Sequence, residues 1–185
     1  PGYVIKKYNH AMDAFQGTGA RHMEKAYPII RYAEILLSYA EALNNLTGSH
    51  SVQVGEEQYT VSRNVEEIKT AFNLVRYRAG LPGLAANQLA TADIQKQIER
   101  ERMVEFLYEN RRFYDVRRWG IYEQTEREPI RGMNPDGATK ETSYQRVFPG
   151  TSSFLKREVN KRSVWVPIPR AEMRRLPSLD QNPGY

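Results

Sequence analysis

The chain has 185 residues, 40% of them hydrophobic and 26% charged, and its mean hydropathy is −0.69, too apolar for intrinsic disorder yet lean for a self-sufficient core. Its 27 basic and 22 acidic side chains leave a net charge of +5, which permits nucleic-acid binding without requiring it. The absence of cysteine excludes disulfide scaffolds, thiolate metal sites and cysteine nucleophiles on this chain, the scattered His10, His22 and His50 argue against a multi-histidine metal centre, and no apolar run is long enough to span a bilayer.

The chain opens on Pro1-Gly2-Tyr3, with neither an initiator methionine nor a charged-then-apolar leader, and reads as a cut precursor or an excised piece of a larger protein. Tyr3-Val4-Ile5 is strand-like, and the stretch to residue 27 reads as loop. Residues 28–46 predict the first helix, with Pro28 in its first turn, an apolar stripe of Ile29, Ala33, Leu36, Ala40 and Leu43, and Gly48 as a left-handed stop. Two alternating runs around a glycine turn in 51–62 predict a β-hairpin. Asn64-Val65-Glu66-Glu67 has the form of a capped helix start; that helix turns Ile68, Ala71, Phe72 and Val75 inward and stops at Gly80.

Residues 91–119 form the longest periodic segment. Thr91 or Asp93 serves as its cap, and Ile94, Ile98, Met103, Phe106, Leu107, Phe113, Tyr114 and Val116 form its apolar face. Its length predicts two helical pieces bent near Asn110. Residues 121–162 lose periodicity and read as a long irregular segment, the kind that often carries function. An extended run, Val164 to Pro169, then a helical turn at Ala171-Glu172-Met173 and a proline-rich tail complete the chain. The expected class is mainly α: helix pairs with a small β-hairpin and long loops, in one domain over residues 1–185.

Three features could carry chemistry. Arg102, Glu105, Glu109 and Arg112 recur at helical spacing and are expected on one helix face. Two carboxylates a turn apart could act as acid and nucleophile in a glycoside hydrolase. An arginine three residues from each glutamate depresses its pKa, however, and carboxylates on one face cannot straddle a bond. The preferred reading is a salt-bridged structural seam. Residues 156–175 hold Lys156, Arg157, Lys161, Arg162, Arg170, Arg174 and Arg175 against Glu158 and Glu172, so this stretch carries the whole net charge. With only Trp165 among them for stacking, they read as a solvated edge or a docking surface for an acidic partner, with no nucleic-acid role. Tyr59, Tyr122, Tyr144 and Phe148 are candidate ligand contacts, since an aromatic ring on a loop can stack on the C–H face of a sugar. No phosphate loop, dinucleotide turn, nucleophile elbow or metal motif occurs, so no catalytic residue, cofactor or metal is expected.

Four segments resemble the C-terminal half of the SusD/RagB family of surface glycan-binding lipoproteins. They are Ile30-Arg31-Tyr32-Ala33-Glu34 with Ala40-Glu41-Ala42; Asn73 through Gly80; Glu101-Arg102, Glu105-Phe106, Glu109, Arg112, Asp115 and Arg117-Arg118-Trp119; and Pro167-Ile168-Pro169 with Gln181-Asn182-Pro183-Gly184-Tyr185. They fall in the family's order across residues 28–120 and 163–185. The resemblance implies an α-superhelical fold of tetratricopeptide-like helix pairs, no catalysis, and capture of glycans or peptides at a Gram-negative cell surface. It also implies a SusC-like, TonB-dependent transporter as partner and an outer-membrane location through a lipid anchor absent from this chain. Family proteins run to several hundred residues, so the resemblance implies an N-terminally truncated fragment. Two other readings remain open at this point: the glycoside hydrolase, and a tetratricopeptide-like protein-interaction scaffold.

Overall fold

A computed structural model describes residues 3, 5–14, 16–17, 19–129, 131–144 and 157–185. The chain forms two compact units, one of residues 14–112 and one of residues 1–13 with 113–185. In order, the elements are α1 (Tyr32–Asn44), β1 (Ser49–Val54), β2 (Glu57–Ser62), α2 (Val65–Arg78), α3 (Thr91–Glu105), α4 (Arg111–Arg118), α5 (Tyr122–Glu126), α6 (Lys140–Ser143) and α7 (Arg170–Arg175), with single 3-10 turns at Ala86–Gln88 and Lys161–Val164.

The unit of residues 14–112 is built on α1, α2 and α3. Leu37, Ala40 and Leu43 of α1 meet Ile68, Ala71, Phe72 and Val75 of α2, Ile94 and Ile98 of α3, and Phe106 just beyond it. Each fully buried Leu, Ile or Phe contributes about 1.5–3 kcal/mol of burial free energy, and the small Ala40 and Ala71 leave room for neighbouring backbone. The helix begins four residues later than the periodicity predicts: Arg31 is its extended N-cap, and Ile29 stands 82% exposed outside it. Nor does Gly48 end the helix. Asn45 caps it through bonds from its own N–H to the Glu41 and Ala42 carbonyls, and Gly48, at φ +77°, turns the chain into β1.

The hairpin forms as predicted, pairing antiparallel with Val52 opposite Tyr59 and Gly55-Glu56 at the turn. Both strands are exposed along nearly their whole length. Asn64 caps α2, its side chain accepting from the N–H groups of Glu66 and Glu67. The expected reciprocal arm differs slightly, because Glu67 bonds the Asn64 side-chain amide. At the other end Gly80 N–H donates to Tyr77 and Leu81 N–H to Arg76, the paired bonds of a Schellman stop with Gly80 at φ +70°.

The segment 91–119 departs further from its pattern. Ala90, not Thr91 or Asp93, is the N-cap of α3, and its side chain makes no capping bond. The break comes where expected, with Tyr108 and Asn110 both at positive φ. It stops α3 at Glu105 and starts α4 at Arg111, so the predicted continuous apolar face does not exist. Ile94, Ile98, Phe106 and Val116 are buried, whereas Met103, Leu107, Phe113 and Tyr114 are exposed.

In the unit of residues 1–13 and 113–185, the described residues of the predicted irregular region include two short helices, α5 and α6. Tyr3 and Ile5 form no strand, and Val4 lies outside the described residues. Of the predicted extended run, Val164 instead closes the 3-10 turn Lys161–Val164, and the stretch from Trp165 to Pro169 joins no sheet among the described residues. Among the described residues no helix is long and apolar enough to cross a membrane.

Candidate functional site

The charged seam is built by tertiary contact. Arg102 and Glu105 lie on α3, Glu109 in the break and Arg112 on α4, so the four do not share a helix face. What joins the glutamates is Arg31, at the entry to α1. Its guanidinium reaches Glu105 at 2.6 Å and Glu109 at 2.8 Å and also donates to the Glu105 carbonyl. The carboxylates are 9% and 6% exposed, and Arg78 reaches Glu105 from α2. Hydrogen bonding to Glu109, then to Glu105, raises the Arg31 pKa against the opposing effect of burial. Arg102 donates to Ser38 Oγ and, with Arg31, lies over the Phe106 ring. Arg112 makes no ion pair among the described residues. The two glutamates therefore converge on one cation, the Arg31 guanidinium, which bonds to both.

Neighbouring motif residues act the same way. Glu34 pairs with Arg111 at 2.8 Å and Glu101 with Arg76 at 2.8 Å. Asn73 Oδ1 accepts from Leu84 N–H, and the turn passes so close that a Cβ on Gly83 would stand 2.5 Å from the Asn73 side chain. A tie that the sequence reading missed centres on Asn44, which is fully buried. It donates to the Thr91 carbonyl and accepts from Arg63, which in turn donates to the Leu89 carbonyl. This fixes the end of α1 to the start of α3.

The C-terminal signature forms a clip within its own unit. Pro167 and Pro169 lack N–H groups, so the extended run around Ile168 cannot form a regular strand ladder. Gln181 supplies the missing pairing: its Oε1 accepts from Ile168 N–H at 2.8 Å and its Nε2 donates to the Ile168 carbonyl at 3.0 Å. Asn182 donates to the Val166 carbonyl and Tyr185 Oη to that of Trp165. Arg117 holds the preceding turn by donating to the Ser163 and Val164 carbonyls.

The aromatic candidates have different surroundings. Tyr59 is 47% exposed and opposite Val52, and Val54 beside them is 62% exposed. Together they make a flat apolar face, a feature visible in the strand alternation but not assigned from sequence. The Tyr59 hydroxyl donates to the Glu57 carboxylate, which raises the pKa of the phenol. Tyr144 is 61% exposed near Lys140. Tyr122 is half-buried, with the Arg117 guanidinium 4.4 Å from its ring centre and Phe113 close to the same guanidinium, so its ring is already engaged. Phe148 and Lys156 lie outside the described residues. In the basic stretch, Arg157 pairs with Glu126 and Arg175 with Glu172. Among the described residues no group of three His, Asp or Glu side chains is placed to hold a metal.

Comparison with known proteins gives consistent matches. The model of the SusD family matches residues 1–185. The chain is 25% identical over 184 residues to SusD-like protein P2 of Formosa agariphila, covering 99% of this chain and 30% of that one. Among solved structures, a SusD-like protein from Bacteroides fragilis superposes with a TM-score of 0.61 at 32% identity, covering 85% of this chain and 25% of the other. A SusD superfamily protein from Bacteroides vulgatus gives 0.53 at 25% identity, covering 85% and 27%. The chain thus spans less than a third of the length of these relatives.

Proposed function

The chain belongs to the SusD family, and from that premise we propose that it is part of a non-catalytic module that captures oligosaccharide at the cell surface for nutrient uptake. The observation that carries the reading is the family match over all 185 residues. The local geometry is compatible with it: the glutamates of the seam are committed to arginines, while Tyr59 and Tyr144 present open rings.

On this reading the 185 residues are one family domain, the C-terminal portion of a longer lipid-anchored protein of the outer membrane. Its partner is a SusC-like, TonB-dependent transporter that imports the cargo. The basic stretch from Arg157 to Arg175 is a docking edge for an acidic partner surface. Tyr59 and Tyr144 are the ligand contacts, and Tyr122 acts in packing.

Calorimetric titration against a panel of oligosaccharides, with peptides as the second ligand class, tests the proposal. The expected result is saturable oligosaccharide binding with no release of reducing ends, weakened about tenfold by Tyr59→Ala or Tyr144→Ala, as loss of about 1.4 kcal/mol of stacking would give. Release of reducing ends that Glu105→Gln abolishes would establish the hydrolase reading instead. Retention on peptide but on no glycan would reassign the ligand class.

A further inference from the structure

The β1–β2 hairpin has two faces of different kinds. Alternate residues of a strand share a face, so the register puts Val52 beside Tyr59 and Val54 beside Glu57 on one side. Ser51, Gln53, Gln58 and Thr60 lie on the other. The polar side is engaged locally: Gln58 donates to Ser51 Oγ and Gln53 to the Gly55 carbonyl. The first side is open, with Val52 42% exposed, Val54 62% and Tyr59 47%. The Tyr59 hydroxyl donates to the Glu57 carboxylate on the same face. That bond orients the ring in advance and lowers the cost of ordering it on binding.

The size of this face narrows its occupant. Its rows are His50–Val61, Val52–Tyr59 and Val54–Glu57. With strands about 4.8 Å apart and rows about 7 Å apart, they span on the order of 200 Å². A stable protein partner needs about 800 Å² on each side, so the face suits a small ring-shaped ligand. Charge narrows it again. Residues 49–62 contain Glu56 and Glu57 and no lysine or arginine, in a chain whose net charge is +5. Among the described residues no cation pairs with either glutamate. An anionic ligand is repelled here, whereas a hydroxylated neutral one finds a strong acceptor beside an apolar floor.

We propose that this face is a subsite for one uncharged pyranose unit, and that it selects neutral over acidic glycans. The Tyr59 ring stacks on the C–H face of the sugar, and Val52 and Val54 extend the floor. The Glu57 carboxylate accepts hydrogen bonds from the sugar hydroxyls. A uronate or sulfate in the same place stands about 5 Å from that carboxylate, where like charges in water cost roughly fourfold in affinity. The proposal rests on the reading of the chain as a glycan-capture module and adds the class of sugar.

The test uses the 185-residue chain and two pairs of hexasaccharides matched in linkage, mannose with mannuronate and glucose with glucuronate. Affinities are measured calorimetrically at low ionic strength, where surface charge is least screened. The Val52 and Val54 methyl and Tyr59 ring signals are followed by NMR. A neutral hexamer is expected to shift the hairpin signals and to bind at least about fourfold tighter than its acidic counterpart. Glu57→Gln is expected to bring that ratio toward one. Tyr59→Phe, which keeps the ring, should retain the shifts that Tyr59→Ala abolishes. An acidic hexamer bound as tightly as its neutral counterpart, or a ratio unmoved in Glu57→Gln, would overturn the proposal. Saturable neutral binding that leaves the hairpin signals in place would overturn it too, with glycan capture still standing. No saturable binding of any hexamer would count against capture itself and remove the subsite with it.

Discussion

At the scale of single residues, the most consequential side chain is Arg31. It lies at the chain entry to α1, yet it joins two carboxylates 74 and 78 positions away. Arg31→Met removes a cation shared by Glu105 and Glu109, leaving buried charge less well compensated. The expected loss is about 3 kcal/mol of unfolding free energy in urea titration. The second case is Tyr39. Its hydrogen bond to Glu67, with smaller contributions from burial and the Glu67 charge, raises its pKa above the ordinary 10.0. The folded state therefore keeps the phenol proton to higher pH than the unfolded chain does. The small stability this contributes is present below about pH 10 and declines as pH rises beyond it. Site-resolved NMR titration is expected to place the Tyr39 midpoint above 10.0 and to return it toward that value in Glu67→Gln. An unmoved midpoint would show that the carboxylate is not the cause.

At the scale of elements, local rules succeed where the instruction is local. Asn64 and Gly80 bracket α2 because a side-chain cap and a left-handed stop act within one turn. Gly80→Ala is expected to cost about 1 kcal/mol, the penalty of placing a Cβ in left-handed backbone, read as a lower thermal midpoint. The hairpin was equally legible from its alternation and Gly55 turn. The length of 91–119 already predicts the break near Asn110, but its apolar stripe misled, because Met103, Leu107, Phe113 and Tyr114 stay exposed on either side of the positive-φ residues Tyr108 and Asn110. The C-terminal clip could not be read from spacing, since Gln181 acts on a backbone 13 residues away in place of a strand partner. Gln181→Ala should leave the helices intact and expose the Ile168 amide, accelerating its hydrogen exchange by about tenfold for each 1.4 kcal/mol of lost local protection.

At the scale of the whole molecule, the low mean hydropathy of −0.69 goes with a small core and many open apolar side chains. Among the described residues, ten buried hydrophobic side chains form the core cluster of the 14–112 unit, while Tyr32, Ile35 and Leu74 stay on its surface. If a helix of the longer polypeptide covers them, the unit gains burial free energy there. Its thermal midpoint should then be higher in the longer protein than in the 185-residue chain, by roughly 2–4 °C per kcal/mol gained. Circular dichroism melting of both proteins checks this; identical midpoints would mean that the face gains nothing from additional chain.

By itself the sequence determined the mainly helical class, the hairpin, the bounds of α2 and the family, because these follow from periodicity, caps, turns and ordered motif strings that act along the chain. It also made the tyrosines of the loops candidates without distinguishing among them. Tertiary structure decided that Tyr122 lies against Arg117 while Tyr59 and Tyr144 stay open. It also brought Glu105 and Glu109 together under Arg31 although a helix break separates them. The physical reason is the same in each case: burial and ion pairing depend on which distant side chain arrives, and spacing along one segment carries no record of that partner.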